Sequence, residues 1–519
     1  MIGATAGGGA MYHAMNSLGL AGTSTFKGPI DLQGAPRGAS VLVLGAGMAG
    51  MTAAYELRNA GYKVQVLEYN NRPGGRNWTL RGGDRYTELG GQTQQCEFDK
   101  DLYINPGPWR IPYHHHGMMH YTKLLGVPLE PFFQVNYNAY LHSSQAFGGK
   151  PQRYREVKAD YQGHVAELLA KATQQKLLDA SVTKEDQEML LESLREWGAL
   201  DKTYAYVSSE AVSGRRGFEK QPGGGLSGTP VPSKPVALHE LLQSGVWAGI
   251  ANGDALDMQT SLFQPAGGMG RIGEAFGKEL GPLIRYNAKV TDIHQDAHGV
   301  TVAFVDSREP GSRQTLQADW CVCTIPLPIL AQIPMNVSPA MVAAISSVPS
   351  APAVKAGLQF KRRFWEQDEQ IYGGITYTDL PILNIAYPNM GFQSGGKGVL
   401  LGAYAWGLRA MEFTAMTPQE RVQKVVDYGS QIHPQYHKEF ENGIAVAWHR
   451  VPFTMGCFGS WTSDTRAKHY QDLCRLDGRI ILAGEHASFI GGWQEGAVTS
   501  ALDAISRIHS RAVALGAKA

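Results

Sequence analysis

The chain has 519 residues, 43% of them hydrophobic and 18% charged, a composition typical of a folded protein with about two to four domains. Its net charge of +1 gives no electrostatic reason to expect nucleic acid or an anionic membrane as a partner. Five cysteines, an odd number in so long a chain, argue against a disulfide framework, and no apolar run of about 18 residues would span a bilayer.

The N-terminal segment 2–22 is small and weakly apolar, with many glycines and alanines. It is compatible with the remnant of an export signal, although no basic run precedes it, and equally with a flexible terminus. We therefore expect a flexible segment over 1–35 and leave the compartment open between export and the cytoplasm.

The first predicted element is a unit of strand, turn, helix and strand. The β-branched run 40–44 predicts a strand, the run 48–60 a helix that ends before Gly61, and the run 63–68 a second strand. The turn between strand and helix reads GAGMAG, the GxGxxG pattern, and Glu68 stands at the end of the second strand. In this context the pattern predicts a dinucleotide site.

Each residue of that pattern has a physical role. Gly45 allows the tight turn, Gly47 lets the backbone approach the pyrophosphate, and Gly50 lets the helix pack closely on the strands. The helix N-terminus offers N–H groups and a partial positive charge to the phosphates. The carboxylate of Glu68 is expected to accept hydrogen bonds from a ribose.

The rest of the chain alternates between helical and strand-like patterns. Residues 118–255 predict helices, with a capping box from Thr183 to Asp186, and 213–235 predicts a long surface loop whose role as a lid or interaction site stays open. Residues 296–299 predict the turn of a hairpin over 284–306. Runs 354–405 and 479–483 predict strands, and 495–515 predicts a final helix.

Three further motifs resemble those of the flavin amine oxidase family. They read RPGGR over 72–76, ELGG over 88–91, and AGEH over 483–486 ahead of GGWQEGAV over 491–498. The resemblance runs in the same order from about residue 36 to residue 513 and implies FAD rather than NAD as cofactor. By this resemblance the FAD contacts, besides the GxGxxG unit and Glu68, are Gly75 and Arg76 near the pyrophosphate, Gly91 beside the flavin, Val290 at the adenine, Glu485 at the ribityl chain, and Gly484, Gln494 and Val498 around the flavin ring.

The segment 455–460 resembles the part of monoamine oxidases in which a cysteine is bonded to the flavin, so Cys457 is a candidate for that bond. Amino-acid oxidases of the family bind FAD without a bond, and the other motifs are closer to theirs. Non-covalent FAD is therefore the expectation.

Within the family, the chain is most similar to the L-amino-acid oxidases. The segment GPWRIP over 107–112 resembles one whose arginine binds the substrate α-carboxylate, and the planar guanidinium of Arg110 suits that task. The resemblance also implies that Tyr404 shares the carboxylate and that Lys355 holds a water near flavin N5. It places Trp493 in an aromatic wall and Trp406 and Phe458 in an apolar side-chain pocket.

The sequence thus predicts an α/β fold with the architecture of the flavin amine oxidases: a Rossmann-type FAD-binding domain, a mixed-sheet substrate domain and an inserted helical region. The predicted divisions are a flexible segment over 1–35, FAD-binding parts over 36–112, 256–345 and 466–519, a helical and substrate-entry region over 113–255, and a substrate-binding domain over 346–465.

The hypothesis is an FAD-dependent L-amino-acid oxidase that converts aromatic or large apolar L-amino acids, or a broader range, into 2-oxo acids, ammonia and hydrogen peroxide. Its expected partners are the amino acid, dioxygen and a second copy of the chain. The alternatives are a primary amine or polyamine oxidase, an amino-acid 2-monooxygenase, a dehydrogenase with another electron acceptor, and a flavin-binding scaffold without activity.

Histidines at 114–116 and 120 include a pair spaced i, i+4 that could hold a metal ion. The sequence shows no carboxylate or cysteine cluster beside them, and no metal site is predicted.

Overall fold

The computed structural model of the chain describes residues 24–179, 181–308 and 311–516. The segment 2–22, considered above as an export signal, lies outside these ranges. The helices of the described residues are, in chain order, α1 (Met48–Asn59), α2 (His116–Leu124), α3 (Tyr154–Gln174), α4 (Lys184–Gly198), α5 (Glu210–Arg216), α6 (Leu238–Ser244), α7 (Gly270–Leu280), α8 (Leu327–Leu330), α9 (Pro339–Ser346), α10 (Phe364–Gln367), α11 (Gly407–Ala415), α12 (Pro418–Gly429), α13 (Tyr436–Glu439), α14 (Ser463–Cys474) and α15 (Gln494–Gly516).

The strands of the same residues form six sheets. In chain order they are β1 (Ser40–Leu44), β2 (Lys63–Leu67), β3 (Leu80–Arg81), β4 (Arg85–Thr87), β5 (Thr93–Gln95), β6 (Tyr103–Ile104), β7 (Ile111–Pro112), β8 (Leu129–Phe132), β9 (Tyr140–His142), β10 (Gln152–Arg153), β11 (Leu262–Pro265), β12 (Ile284–Arg285), β13 (Ala288–Gln295), β14 (Val300–Asp306), β15 (Gln314–Ala318), β16 (Trp320–Cys323), β17 (Ala353–Phe360), β18 (Ile375–Thr378), β19 (Asn384–Ala386), β20 (Gly398–Trp406), β21 (Phe440–Ala447) and β22 (Ile480–Leu482).

A parallel sheet of five strands, in the order β12-β2-β1-β16-β22, draws its strands from both ends of the chain and from its middle. Helices α1 and α15 pack on it through a core in which Val43, Ile481 and Ile505 are fully buried. The predicted unit of strand, turn, helix and strand and the Rossmann-type sheet are confirmed. Since the carboxyl ends of parallel strands meet at one edge, the motifs that follow β1, β2 and β22 come together there.

A second sheet is mixed and has seven strands in the order β10-β9-β18-β19-β20-β17-β21. Its neighbours are antiparallel except β9 and β18, which are parallel. Strand β17 is buried at all of its positions. In its register with β20, Lys355 lies opposite Tyr404. Paired residues on adjacent strands share a face of the sheet, so this register makes two predicted site residues neighbours.

The hairpin of β13 and β14 turns at Asp296, whose side chain accepts hydrogen bonds from the N–H groups of His298 (2.7 Å) and Gly299 (3.0 Å). The hairpin predicted over 284–306 is confirmed in its turn but begins later than predicted, at Ala288. Residues 284–285 pair in parallel with β2 and belong to the five-stranded sheet.

The prediction that 118–255 is helical was wrong in part, because β8, β9 and β10 fall within it. These short strands carry too few residues for an alternating pattern to stand out, and β8 and β9 pair with strands far along the chain. The capping box at Thr183 and Asp186 is confirmed at the start of α4. The surface loop is shorter than the predicted 213–235, since 213–216 close helix α5.

All five cysteines are free thiols, and Cys321 and Cys323 are buried in the apolar core under the five-stranded sheet. Searched over the described residues, the chain has no helix that is both long and apolar enough to cross a membrane.

Candidate active site

A cavity of about 440 Å³ opens at the carboxyl edge of the five-stranded sheet. Predicted cofactor contacts and predicted substrate contacts line this one cavity. From the first set these are Gly45, Gly47, Glu68, Gly75, Arg76, Val290, Gly484, Glu485 and Gln494, and from the second Arg110, Tyr404, Trp406, Phe458 and Trp493.

The glycine-rich turn has the shape that its pattern predicts. A Cβ atom on Gly50 would lie 1.9 Å from the carbonyl oxygen of Gly45, so this glycine is required for the helix to pack against the turn. A Cβ on Gly47 would meet nothing within 4 Å. Gly47 lines the cavity, so the space left by its missing side chain is open to a ligand rather than filled by protein.

Glu68 lies at the end of β2 and is 4% exposed. One of its carboxylate oxygens accepts a hydrogen bond from the N–H of Ala46 at 2.6 Å, and the other accepts from the backbone (2.8 Å) and side chain (2.7 Å) of Asn70. These contacts fix the carboxylate at the mouth of the glycine-rich turn. A carboxylate has about four acceptor positions, so one remains for a ribose hydroxyl.

Glu485 and Arg76 form an ion pair with 3.6 Å between their charged atoms. The Glu485 carboxylate also accepts hydrogen bonds from the N–H groups of Gly492 (2.7 Å) and Gly459 (3.1 Å). Burial raises the pKa of Glu485, and the nearby positive charge of Arg76 opposes that rise. Arg76 also donates a hydrogen bond to the carbonyl of Cys457, which ties the RPGGR turn to the loop after β21.

These residues fit FAD. Helix α1 begins at the turn with no side-chain cap and no acidic residue in its first turn, which leaves its N-terminal end suited to an anion. The open space at Gly47 admits the pyrophosphate, and the fixed carboxylates of Glu68 and Glu485 provide acceptors for hydroxyl groups on two sides of the cavity.

Arg110 is the last residue of the loop between β6 and β7, and it is only 3% exposed. Its guanidinium carbon lies 5.0 Å from the ring centre of Trp109, 5.2 Å from that of Trp493 and 6.0 Å from that of Phe132. One terminal nitrogen contacts the sulfur of Met258 at 2.9 Å. The structure thus holds a permanently charged, planar group among aromatic rings at the wall of the cavity.

Lys355 and Tyr404 lie beside this arginine. The Lys355 ammonium is 4.3 Å from the ring centre of Tyr404 and 4.5 Å from that of Trp109, and it donates a hydrogen bond to the carbonyl of Gly107. Burial holds the pKa of Lys355 well below its ordinary value, and the positive charge of Arg110 lowers it further. Tyr404 packs edge-on against Trp406, with 4.6 Å between ring centres.

Cys457 also lines the cavity. Burial raises the pKa of its thiol to about 11, so the sulfur is protonated at neutral pH, with Arg76 acting in the opposite direction. A protonated thiol is a poor nucleophile.

Some predicted contacts lie outside the lining of this cavity. Gly91 is an exposed residue in the turn between β4 and β5, where its neighbour Glu88 forms a buried ion pair with Arg421. Val498 is fully buried in the core between α15 and the sheet. Lys355 stands behind the ring of Tyr404 rather than on the cavity surface. The motif resemblance therefore identifies the loop that carries Gly91 and the helix that carries Val498, but these two residues do not face the cavity.

His114 and His115 do have a carboxylate beside them, and the prediction that none accompanies the histidines was wrong. Asp257, 143 positions further along the chain, accepts a hydrogen bond from His114 Nε2 at 3.1 Å, and His115 lies close to both. This pairing carries no signal in the sequence. The positive charge of Arg110 acts on both His115 and Asp257, which disfavours a further cation at this position.

Comparison with known proteins bears on the same residues. Residues 48–509 match the sequence profile of the family described as flavin containing amine oxidoreductase. The chain belongs to this family. As a family member it is a flavin-dependent oxidoreductase with FAD as its cofactor, and the predicted fold is confirmed.

Curated relatives and solved structures extend over nearly the whole chain of this flavin-containing amine oxidoreductase. It is 28% identical to the L-amino-acid oxidase of Siganus canaliculatus, over 91% of this chain and 85% of the relative. It is 27% identical to the L-amino-acid oxidase of Bungarus fasciatus, over 90% and 86% respectively. The structure of cyclohexylamine oxidase from Brevibacterium oxydans IH-35A has the same fold, with a TM-score of 0.60 at 16% identity over 91% of this chain and 99% of that one.

Proposed function

We propose that this chain is an L-amino-acid oxidase, in which Arg110 binds the α-carboxylate of the substrate. The observation that carries the proposal is the position of the arginine, which is 3% exposed and lines the same cavity as the FAD-binding turn. An oxidase of simple amines has no carboxylate to bind and gains nothing from a buried guanidinium there. The named relatives at 27–28% identity are consistent with this assignment.

Arg110 and Tyr404 orient the substrate in this proposal. The guanidinium binds the carboxylate through two parallel hydrogen bonds, and the phenol donates a third. This grip fixes the direction of the Cα–H bond, and positioning of that kind contributes much of the rate. When bound, FAD supplies the acceptor for the hydride that leaves Cα.

The substrate amine is neutral when the Cα–H bond breaks, so the chain needs no strong base there. Glu68 and Glu485 are the only acidic residues among the described lining residues, and both accept backbone N–H groups. Aromatic side chains surround Arg110, with Trp109, Phe132 and Trp493 nearest to it, and Trp406 and Phe458 also line the cavity. We therefore propose aromatic or large apolar L-amino acids as the preferred substrates.

The products in this proposal are an imino acid, which water converts to a 2-oxo acid and ammonia, and hydrogen peroxide from dioxygen. Lys355 serves the oxygen reaction through a bound water, as the family resemblance implies, and burial lowers the pKa of its ammonium. The thiol of Cys457, protonated at neutral pH, supports non-covalent FAD. A homodimer is proposed by resemblance to the family alone.

Product analysis tests the proposal against the alternatives. Purified protein is given each common L-amino acid and several primary amines and polyamines in air. Stoichiometric peroxide, ammonia and 2-oxo acid from L-amino acids support it. An amide with carbon dioxide would indicate a 2-monooxygenase, turnover of amines alone an amine oxidase, and turnover only with an added acceptor a dehydrogenase. Absence of any turnover by the FAD-loaded protein would indicate a scaffold.

A further inference from the structure

Asp257 is buried, 4% exposed, in a short helical turn over Leu256–Met258. Two neighbours in this turn point at the substrate site. Met258 offers its sulfur to the Arg110 guanidinium at 2.9 Å. Burial raises the pKa of Asp257, and the nearby indole of Trp493 acts in the opposite direction.

Trp493 is held from several directions. Its ring centre lies 5.2 Å from the guanidinium carbon of Arg110 and 5.1 Å from the ring centre of His115, which meets it edge-on at 86°. His115 in turn packs edge-on against His114, with 4.9 Å between ring centres. His114 donates its Nε2 hydrogen to Asp257 at 3.1 Å. These contacts form a continuous series from Asp257 through His114 and His115 to Trp493 and Arg110.

Asp257 is the anchor of this series of contacts. A buried carboxylate needs hydrogen-bond donors, and here the imidazole of His114 supplies one at 3.1 Å. That bond fixes the His114 ring, His115 packs edge-on against it, and His115 in turn meets the indole of Trp493 edge-on. The face of that ring is what the Arg110 guanidinium packs against.

From this geometry we infer that Asp257 is a positioning residue for carboxylate recognition: with His114 it fixes Trp493, and Trp493 and Met258 fix the guanidinium of Arg110. The inference rests on the proposed role of Arg110. Asp257 itself does not line the cavity and touches neither substrate nor cofactor. Its effect is therefore on how well a carboxylate binds rather than on the bond that breaks.

Two substitutions separate this role from a general effect on folding. Asp257→Ala removes the acceptor for the N–H of His114. Asp257→Asn keeps an oxygen of the same size and position as acceptor. Asp254→Ala, at an exposed residue three positions earlier, is the matched control. The measurements on FAD-loaded protein are kcat and KM for an L-amino acid and the Kd of benzoate, a carboxylate without an amine, from the change in the flavin spectrum.

For Asp257→Ala we expect KM and the benzoate Kd each to rise about tenfold, with kcat within about twofold of wild type. For Asp257→Asn we expect both constants to return to within about threefold of wild type. Unchanged constants in the alanine variant would overturn the inference. So would an asparagine variant as impaired as the alanine variant, or a loss in kcat alone.

Should Asp257→Ala fail to fold, His114→Phe gives the same test, because it keeps a ring and removes the N–H that donates to Asp257. It is expected to raise the benzoate Kd to the same extent, and adding Asp257→Asn to it is expected to change nothing further. Additive effects of the two substitutions would contradict the inference. Arg110→Ala, assayed in parallel, distinguishes the two proposals: if it leaves benzoate binding intact, the role of Arg110 fails, whereas intact binding in the Asp257 variants alone rejects only the positioning role.

Discussion

Replacing Arg110 by alanine is expected to abolish recognition of amino acids while the fold and the FAD content stay intact. The Arg110 side chain is buried among Trp109, Phe132 and Trp493. A substrate carboxylate that binds it therefore pairs with the guanidinium away from water. Removing one partner of such a buried charge pair costs about 3 to 5 kcal/mol. This corresponds to a loss between about a hundredfold and a few thousandfold in kcat/KM.

The assay is the rate of anaerobic flavin reduction by L-phenylalanine and by 2-phenylethylamine, which lacks only the carboxylate. In Arg110→Ala the rate with the amino acid falls to that with the amine, and the rate with the amine changes little. Arg110→Lys keeps the charge without the planar fork and falls in between. Arg271→Ala, at an exposed arginine of helix α7, is the control for loss of an arginine. Equal losses for both substrates, or none for the amino acid, would refute a carboxylate contact at Arg110.

Further predictions concern the cofactor, the oxygen reaction and stability. Gly47→Ala is expected to fold but to bind FAD poorly. Gly50→Ala, whose Cβ would lie 1.9 Å from a backbone oxygen, is expected to lose thermal stability. Equal FAD content in the two purified variants would contradict this pair of predictions. Lys355→Met is expected to slow the reoxidation of reduced flavin by dioxygen about tenfold. The rate of flavin reduction by the amino acid, measured by stopped flow, is expected to stay unchanged. Glu88→Gln breaks a fully buried ion pair and is expected to lower the free energy of unfolding by about 3 to 5 kcal/mol, measured by denaturant titration. Burial lowers the pKa of His115 from 6.5 to about 3, so the unfolded chain takes up a proton that the folded chain refuses. Folding stability therefore falls by about 1.4 kcal/mol per pH unit as pH drops from 6.5 towards 3, and His115→Gln is expected to flatten that dependence.

Local patterns in the sequence predicted the parts of the site that depend on local structure. The GxGxxG turn, its helix and Glu68 lie close together along the chain, so a local sequence pattern is enough to predict all three. Motif resemblance located Arg110, Tyr404 and Trp493, and the structure brings all three to one cavity. These assignments as substrate contacts stay predictions until a ligand is observed.

Long-range pairing accounts for what the sequence did not show. The bond between His114 and Asp257 joins residues 143 positions apart, and nothing in the sequence marks Asp257 as a partner of the histidine run. Strands β8, β9 and β10 are two to four residues long, too short to show periodicity, and their existence depends on partners elsewhere in the chain. Residues 284–285 likewise form a strand because they pair with β2, a distant partner, in the parallel sheet.

An anaerobic titration of the purified, FAD-loaded protein with L-phenylalanine isolates binding, orientation and hydride removal from all oxygen chemistry. We expect the visible absorption of oxidised flavin to be lost in proportion to added L-amino acid, with one 2-oxo acid and one ammonia formed per flavin, and we expect Arg110→Ala to prevent this loss. Flavin that stays oxidised in excess L-amino acid, or that is reduced equally well in Arg110→Ala, would contradict the proposed function.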